Sequence, residues 1–204
     1  MSELTAFVRL NAANLLTFGR LVMVPCFALA AVYYAASVRD GAPAEWLRWL
    51  AVGLFATASM TDALDGCLAR RLNCQTRLGS FLDPIADKAL LLTALLLLSA
   101  EPGQAFVRLP LWFPIVIVSR DLFVVFGVAL IWMLNRQIEI RPHWVGKLAT
   151  GLQMVTLGLV LLKVPALYWQ MPLWVAGFCT VVSGVIYLVQ VMPIFAVRKD
   201  SERH

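Results

Sequence analysis

The chain has 204 residues, 61% of them hydrophobic and 14% charged, with a net charge of +5 at neutral pH. Its mean hydropathy of +0.80 lies far from that of soluble proteins, in which about a quarter of residues are charged. These values exclude a soluble enzyme and a disordered chain. They leave an all-α integral membrane protein of about six transmembrane helices, with no length to spare for a soluble domain.

At the start, residues 1–14 carry Glu3 and Arg9 and no small-residue cleavage signature, so the first apolar run reads as a retained span. Within 1–17, Leu4, Phe7, Val8, Leu10 and Leu15 recur at loosely helical spacing, which fits an N-terminal interfacial helix or a frayed terminus. Six apolar segments are predicted, at 15–38, 47–65, 79–100, 111–134, 144–162 and 172–197. Each is close to the ~20 residues that cross ~30 Å of hydrocarbon. The second and third reach that length only with their aspartate-bearing ends in helix, as expected of spans that must satisfy their own backbone. Between segments, Gly41, Pro43, Pro102, Gly103 and Pro165 mark turns at 39–46, 101–110 and 163–171. Residues 1–204 read as one domain without repeats.

With the N-terminus in the cytosol, twelve Lys and Arg residues fall inside, four fall outside (Arg39, Arg48, Arg108, Lys163), and Arg120 lies within a span. That asymmetry sets the orientation, and it suits an inner leaflet of anionic lipid. Trp46, Trp49, Trp112, Trp144, Trp169 and Trp174 stand near span ends and read as an aromatic belt. Cys26, Cys67, Cys74 and Cys179 show no metal-ligand spacing; Cys26 and Cys179 read as small packed hydrophobes, and no structural disulfide is expected.

Four aspartates fall within 26 residues: Asp62 and Asp65 at the end of the second segment, Asp83 and Asp87 at the start of the third. Carboxylates beside bilayer spans are costly and are seldom kept for solubility. Spacings of three and four put each pair on one helix face. Two such faces meeting at a seam would form an oxygen cage for Mg²⁺ or Mn²⁺; without a cation the carboxylates would repel and partly protonate. Gly66 and Gly79 would let a ligand or backbone approach closely, and Arg70, Arg71 and Arg77 add positive charge between the pairs. Carboxylates, metal and arginines together describe a diphosphate clamp.

The pattern Asp62-x-x-Asp65-Gly66-x-x-Ala69-Arg70, then eight residues, then Gly79-x-x-x-Asp83-x-x-x-Asp87, resembles the complete signature of the CDP-alcohol phosphatidyltransferases. Asn14, Thr17 and Arg20 are similar to that family's amino-terminal segment, although Ala13 stands where many members have proline. Gly146, Lys147 and Thr150 resemble its glycerol-lipid branch, and the likeness is weakest in the last span. The resemblance implies metal-dependent transfer of a phosphatidyl group from CDP-diacylglycerol to an alcohol, with release of CMP. It implies two ions of Mg²⁺ or Mn²⁺ on Asp62, Asp65, Asp83 and Asp87, with Asp87 also the general base. Asp62, Gly66, Arg70 and Gly79 would contact CDP-diacylglycerol.

For the acceptor, Ser119-Arg120-Asp121 sits in the middle of the fourth segment, where a charge costs ~2.5–3.5 kcal/mol unless it faces a polar cavity. Arg120 reads as a group for an anionic acceptor or as a neutralised structural pair; Arg141 and Lys147 read as acceptor groups or interfacial anchors. Family members that take glycerol 3-phosphate often have a second arginine eight residues on, where this chain has Val128. The run Ser119-Arg120-Asp121 with its apolar continuation resembles more closely the members that form cardiolipin from phosphatidylglycerol, whereas the chain's length, its start and Gly146-Lys147 fit the glycerol 3-phosphate enzymes equally well, so both acceptors stay open. Gly151, Gly158, Gly177 and Gly184 are candidate helix contacts or a homodimer face. Membrane lipids are expected partners and nucleic acid is not; a bacterial inner membrane, with the site facing the cytoplasm, is the expected location.

Other classes explain less. An intramembrane prenyltransferase would need a second aspartate-rich motif, yet after Asp121 the acidic residues are only Glu139, Asp200 and Glu202. A cation transporter, or a membrane protein that merely stores metal on the aspartates, leaves the intervening arginines unexplained, and a transport pathway spreads its acidic residues over several spans.

Overall fold

The computed structural model describes the backbone at 2–72, 77–100, 105–133 and 144–196, and side chains at 18–61, 86, 88–100, 105–127 and 144–190. Among the described residues there are six helices and no strand: α1 (Ser2–Arg39), α2 (Glu45–Leu72), α3 (Arg77–Ala100), α4 (Trp112–Met133), α5 (Trp144–Leu161) and α6 (Ala166–Ala196). They match the six predicted segments in order. Both α2 and α3 continue through their aspartate-bearing ends. Two boundaries differ. Residues 2–17 continue α1 without a turn, so no separate interfacial helix precedes the first span. At 38 residues α1 is ~57 Å long, nearly twice the hydrocarbon thickness. Helix α6 starts at Ala166, and Pro172 falls inside it instead of opening it.

Three described stretches are long and apolar enough to cross a membrane: Phe18–Arg39, Trp144–Leu161 and Ala166–Gln190. Helix α6 shows what kind of surface surrounds them. Leu167, Met171, Trp174, Phe178, Val181 and Val185 advance by three or four along one face and are exposed, Leu167 by 75% and Phe178 by 71%. The opposite face buries Trp169, Leu173, Ala176, Thr180 and Ser183. A water-soluble helix turns its apolar stripe inward. Here the polar hydroxyls are inside and the large apolar side chains are outside, the arrangement of a helix bathed in lipid. Cys26 is exposed on α1, not packed as expected, and Trp169 is buried, which removes it from the aromatic belt.

The chain divides into two compact units. The first comprises Met1–Leu109 and Leu157–Val164; the second comprises Pro110–Thr156 and Pro165–His204. In the first, α1 packs on both α2 and α3, which also meet each other. Phe27 and Phe55 pack at 5.8 Å between ring centroids, and Gly158 leaves room beside the Phe55 ring. Leu91, Leu95 and Leu98 of α3 are fully buried.

One end of this unit is tied by side chains. Helices α1 and α5 both finish in the same hydrogen-bonded cap. Gly41 N–H donates to Val38 and Ala42 N–H to Ser37; Lys163 N–H donates to Val160 and Val164 N–H to Leu159. This is the Schellman pattern, whose penultimate residue needs a left-handed backbone. Gly41 adopts it at φ 78° freely, whereas Lys163 adopts it at φ 56° against the steric preference of a side chain. What lysine brings is reach. Its Nζ donates to the Tyr34 hydroxyl at 2.5 Å and lies 4.9 Å from the ring centroid. Tyr34, wholly buried, donates in turn to Glu45 Oε1 at 3.0 Å. Glu45 also takes Arg48 Nε at 2.6 Å; that contact, then the Tyr34 hydrogen bond, holds the carboxyl below its usual range. Three helix ends are thereby joined by one hydroxyl.

Tyr34→Phe is expected to lower the thermal midpoint of the detergent-solubilised protein, as is Lys163→Met, with the double variant losing less than the sum of the two. Because the Glu45 carboxyl is lowered, its share is present above the ordinary carboxylate range and is lost as pH falls through the lowered value. A midpoint unchanged by Tyr34→Phe would remove the clasp from the forces holding these ends.

Candidate functional site: an aspartate register and a fixed arginine

The predicted metal and nucleotide residues fall on two adjoining helices of the first unit. Asp62, Asp65, Gly66 and Arg70 lie in the last part of α2, and Gly79, Asp83 and Asp87 in the first part of α3. Their side chains lie outside the described residues, but the helix register is informative. Only four residues, 73–76, separate the two helices, so the C-terminal end of α2 and the N-terminal end of α3 are near one another in the chain. Asp62 stands ten residues from the end of α2, and Asp87 ten from the start of α3. At 1.5 Å per residue both are ~15 Å along their helices from the connection. Asp65 and Asp83, seven and six residues away, are both ~10 Å along. The two pairs therefore match in depth.

Helix α1, packed against both aspartate-bearing helices, contributes Arg20, which is only 1% exposed. A guanidinium buried this far holds its charge only beside groups that accept its hydrogen bonds. Its sequence signal was an arginine inside an apolar run, masked by its place in a motif.

In the second unit, α4 packs on α6 through close contacts at glycine. Trp112 stacks on Trp174 with centroids 4.8 Å apart, and a Cβ at Gly177 would meet the Trp112 ring at 2.6 Å. A Cβ at Gly127 would meet the Tyr187 ring at 2.8 Å, and Tyr187 donates its hydroxyl proton to Val124 O at 3.1 Å. Helix α5 joins α6 by a hydrogen bond from Gln153 Nε2 to Thr180 Oγ1 at 2.8 Å. Of the four glycines expected to mark contacts, Gly158, Gly177 and Gly184 face neighbouring side chains; Gly151 faces none.

This seam holds Arg120. Its Nη1 donates to Asp121 Oδ1 at 2.8 Å, and its Nη2 donates to Ser183 Oγ of α6 at 3.1 Å. Ser119 turns back to the Ile115 carbonyl of its own helix. A guanidinium has five N–H donors, and two are used among the described residues. Among the described residues the Nε is buried without a hydrogen-bond partner. Leaving a buried donor of a charged group unmade costs upward of ~1–3 kcal/mol, so the position is suited to an anion that supplies the missing acceptor. Lys147 is exposed on α5, next to Gly146, whose Cα position abuts the Arg120 head. Arg141 lies outside the described residues. Sequence reading missed Ser183, because a serine in an apolar span carries no charge to set it apart.

The comparisons with known proteins agree with the aspartate signature. A sequence model of the CDP-alcohol phosphatidyltransferase family matches residues 10–186, across both units. A probable phosphatidylglycerophosphate synthase of Mycobacterium tuberculosis strain H37Rv is 39% identical over 191 residues, covering 89% of this chain and 82% of the relative. A CDP-diacylglycerol–glycerol-3-phosphate 3-phosphatidyltransferase of Escherichia coli strain K12 is 33% identical over 170 residues, 82% of each chain. The chain belongs to the CDP-alcohol phosphatidyltransferase family and is a membrane enzyme of phospholipid biosynthesis.

The glycine seam generates a paired prediction. Gly177→Ala pushes a rigid indole and is expected to destabilise the protein by about 1–3 kcal/mol, offset only in part by better helix propensity. Gly151→Ala meets open space and is expected to stabilise it by up to about 1 kcal/mol. Denaturation of both variants in the same detergent checks the sign of each.

Proposed function

We propose that this protein transfers the phosphatidyl group of CDP-diacylglycerol to the 1-hydroxyl of glycerol 3-phosphate, forming phosphatidylglycerophosphate and CMP. Its relatives with this printed activity support glycerol 3-phosphate over phosphatidylglycerol. The observation that carries the choice of an anionic acceptor is Arg120, held at the α4–α6 seam with its Nε–H buried and unspent. A neutralised structural pair would need only Asp121.

The donor set fits a hard divalent cation: four carboxylates, in pairs at matched depth, on two helices that pack together. Asp62, Asp65, Asp83 and Asp87 would hold Mg²⁺ or Mn²⁺, as two ions, and these would supply charge neutralisation for the diphosphate and the departing CMP. Asp62, Gly66, Arg70 and Gly79 bind CDP-diacylglycerol, with Arg70 at the diphosphate and the two glycines making room for the cytidine. Asp87 takes the proton of the acceptor hydroxyl as its oxygen bonds to the phosphatidyl phosphorus. The bond from that phosphorus to the CMP oxygen breaks, and CMP leaves with the electron pair. Arg120 holds the acceptor phosphate, with Lys147 and Arg141 as further cations for it. Most of the acceleration then comes from placing reactants and neutralising charge.

We read all six helices as membrane spans, with the N-terminus and the aspartates on the cytoplasmic side of a bacterial inner membrane, on the strength of the cation asymmetry.

Purified protein given CDP-diacylglycerol, Mg²⁺ or Mn²⁺ and glycerol 3-phosphate is expected to release CMP and form phosphatidylglycerophosphate, with little product from phosphatidylglycerol. Asp87→Asn should lower kcat by about 10²–10⁴-fold. CMP release equal to that of Asp87→Asn with both acceptors would overturn the activity. Arg120→Ala should raise the KM for glycerol 3-phosphate by about 10- to 100-fold, the loss of charged hydrogen bonds, while leaving the KM for CDP-diacylglycerol near its original value.

A further inference from the structure

We propose that Gly146 and Ser183 are positioning residues that fix where the Arg120 guanidinium stands, and so set the affinity for the phosphate of the acceptor. This rests on the reading of Arg120 as the acceptor-phosphate group.

An arginine side chain has several rotatable bonds, and a phosphate site gains affinity when the fork is held in place beforehand. Three helices do this here. Helix α4 supplies the side chain, with Asp121 taking Nη1 at 2.8 Å. Helix α6 supplies Ser183, 7% exposed, which accepts from Nη2 at 3.1 Å. Helix α5 supplies a gap. A Cβ at Gly146 would stand 2.8 Å from Arg120 Nη2 and 3.2 Å from Ser183 Oγ. Any side chain at 146 therefore occupies the space that the guanidinium head takes when it reaches Ser183.

The second glycine touching this arginine makes a useful contrast. A Cβ at Gly184 would lie 3.6 Å from Arg120 Cγ, an ordinary contact that a methyl group can make. Glycine is thus needed at 146 and not at 184. The atom that Gly146→Ala displaces is the far end of a flexible side chain, and alanine is the better helix former. The helix can accept the methyl; the arginine must leave its place. The cost falls on the site and not on folding. Ser183 does more than fill space, because as an acceptor from Nη2 it keeps its own proton. That proton is a further donor for an anion bound beside Arg120.

The test is steady-state kinetics of the full-length enzyme in detergent, varying glycerol 3-phosphate and CDP-diacylglycerol in turn, with a thermal midpoint for each variant. Gly146→Ala is expected to keep the midpoint and to raise the KM for glycerol 3-phosphate by about tenfold, with the KM for CDP-diacylglycerol unchanged. Gly184→Ala should leave both constants within about twofold of wild type. Ser183→Ala should raise the acceptor KM several-fold, and Ser183→Thr, which keeps a hydroxyl, should restore most of it. In an Arg120→Ala background, Gly146→Ala should add nothing, since both changes remove the same fork. If Arg120→Ala raises the acceptor KM while Gly146→Ala and Ser183→Ala do not, or if Gly146→Ala adds its full effect to Arg120→Ala, the positioning role is overturned and the arginine's role stands. If Arg120→Ala itself leaves the acceptor KM unchanged, the reading beneath the proposal fails. Should Gly146→Ala lower the midpoint, the Ser183 pair decides the matter alone.

Discussion

A charged group at membrane depth must find its counter-charges and hydrogen-bond acceptors inside the protein, because the surrounding lipid offers none. The rest of this structure answers to that constraint. It explains why α6 turns Thr180 and Ser183 inward and Phe178 outward. Arg120 likewise has its partners inside the protein, on its own helix and on α6. The divalent ion and diphosphate proposed for the aspartate pairs of α2 and α3 would answer the same need.

Within the second unit, the same constraint favours close helix contacts. Lipid tails are as apolar as leucine, so helices gain little by hiding apolar surface from them and must gain by fitting together. Gly127 receives the Tyr187 ring, Gly177 receives Trp112, and Gly146 receives the Arg120 head. In two of these cases the missing methyl admits a rigid aromatic ring and serves stability. In the third it admits the far end of a flexible cation.

The helices were legible in the sequence because apolar length is a coarse signal that survives uncertain ends. The extension of α2 and α3 through Asp62 and Asp87 followed from the need to satisfy backbone groups. The start of α6 did not, since Pro172 looked like an opening residue while the reversal is completed by Lys163 in a conformation usually left to glycine. Charge against an apolar background marked Arg120 in the sequence, and the structure describes its partners; the side chains of the four aspartates lie outside the described residues. Ser183, Tyr34 and Lys163 carried no such mark. A serine in a span and a lysine in a turn are ordinary residues, and only the fold reveals that one meets a guanidinium and the other a buried phenol.

The matched register of the aspartates has a consequence for how the chain can change in length. Residues added at 73–76 leave each pair's distance from its own helix end intact. One residue inserted between Asp65 and Leu72 would shift the first pair by ~1.5 Å and turn it by ~100° away from the second. Insertions and deletions among descendants of this sequence should therefore spare the helical arms on either side, where counting residues amounts to aiming them, and the eight residues that the signature sets between Arg70 and Gly79 hold the connection to length as well.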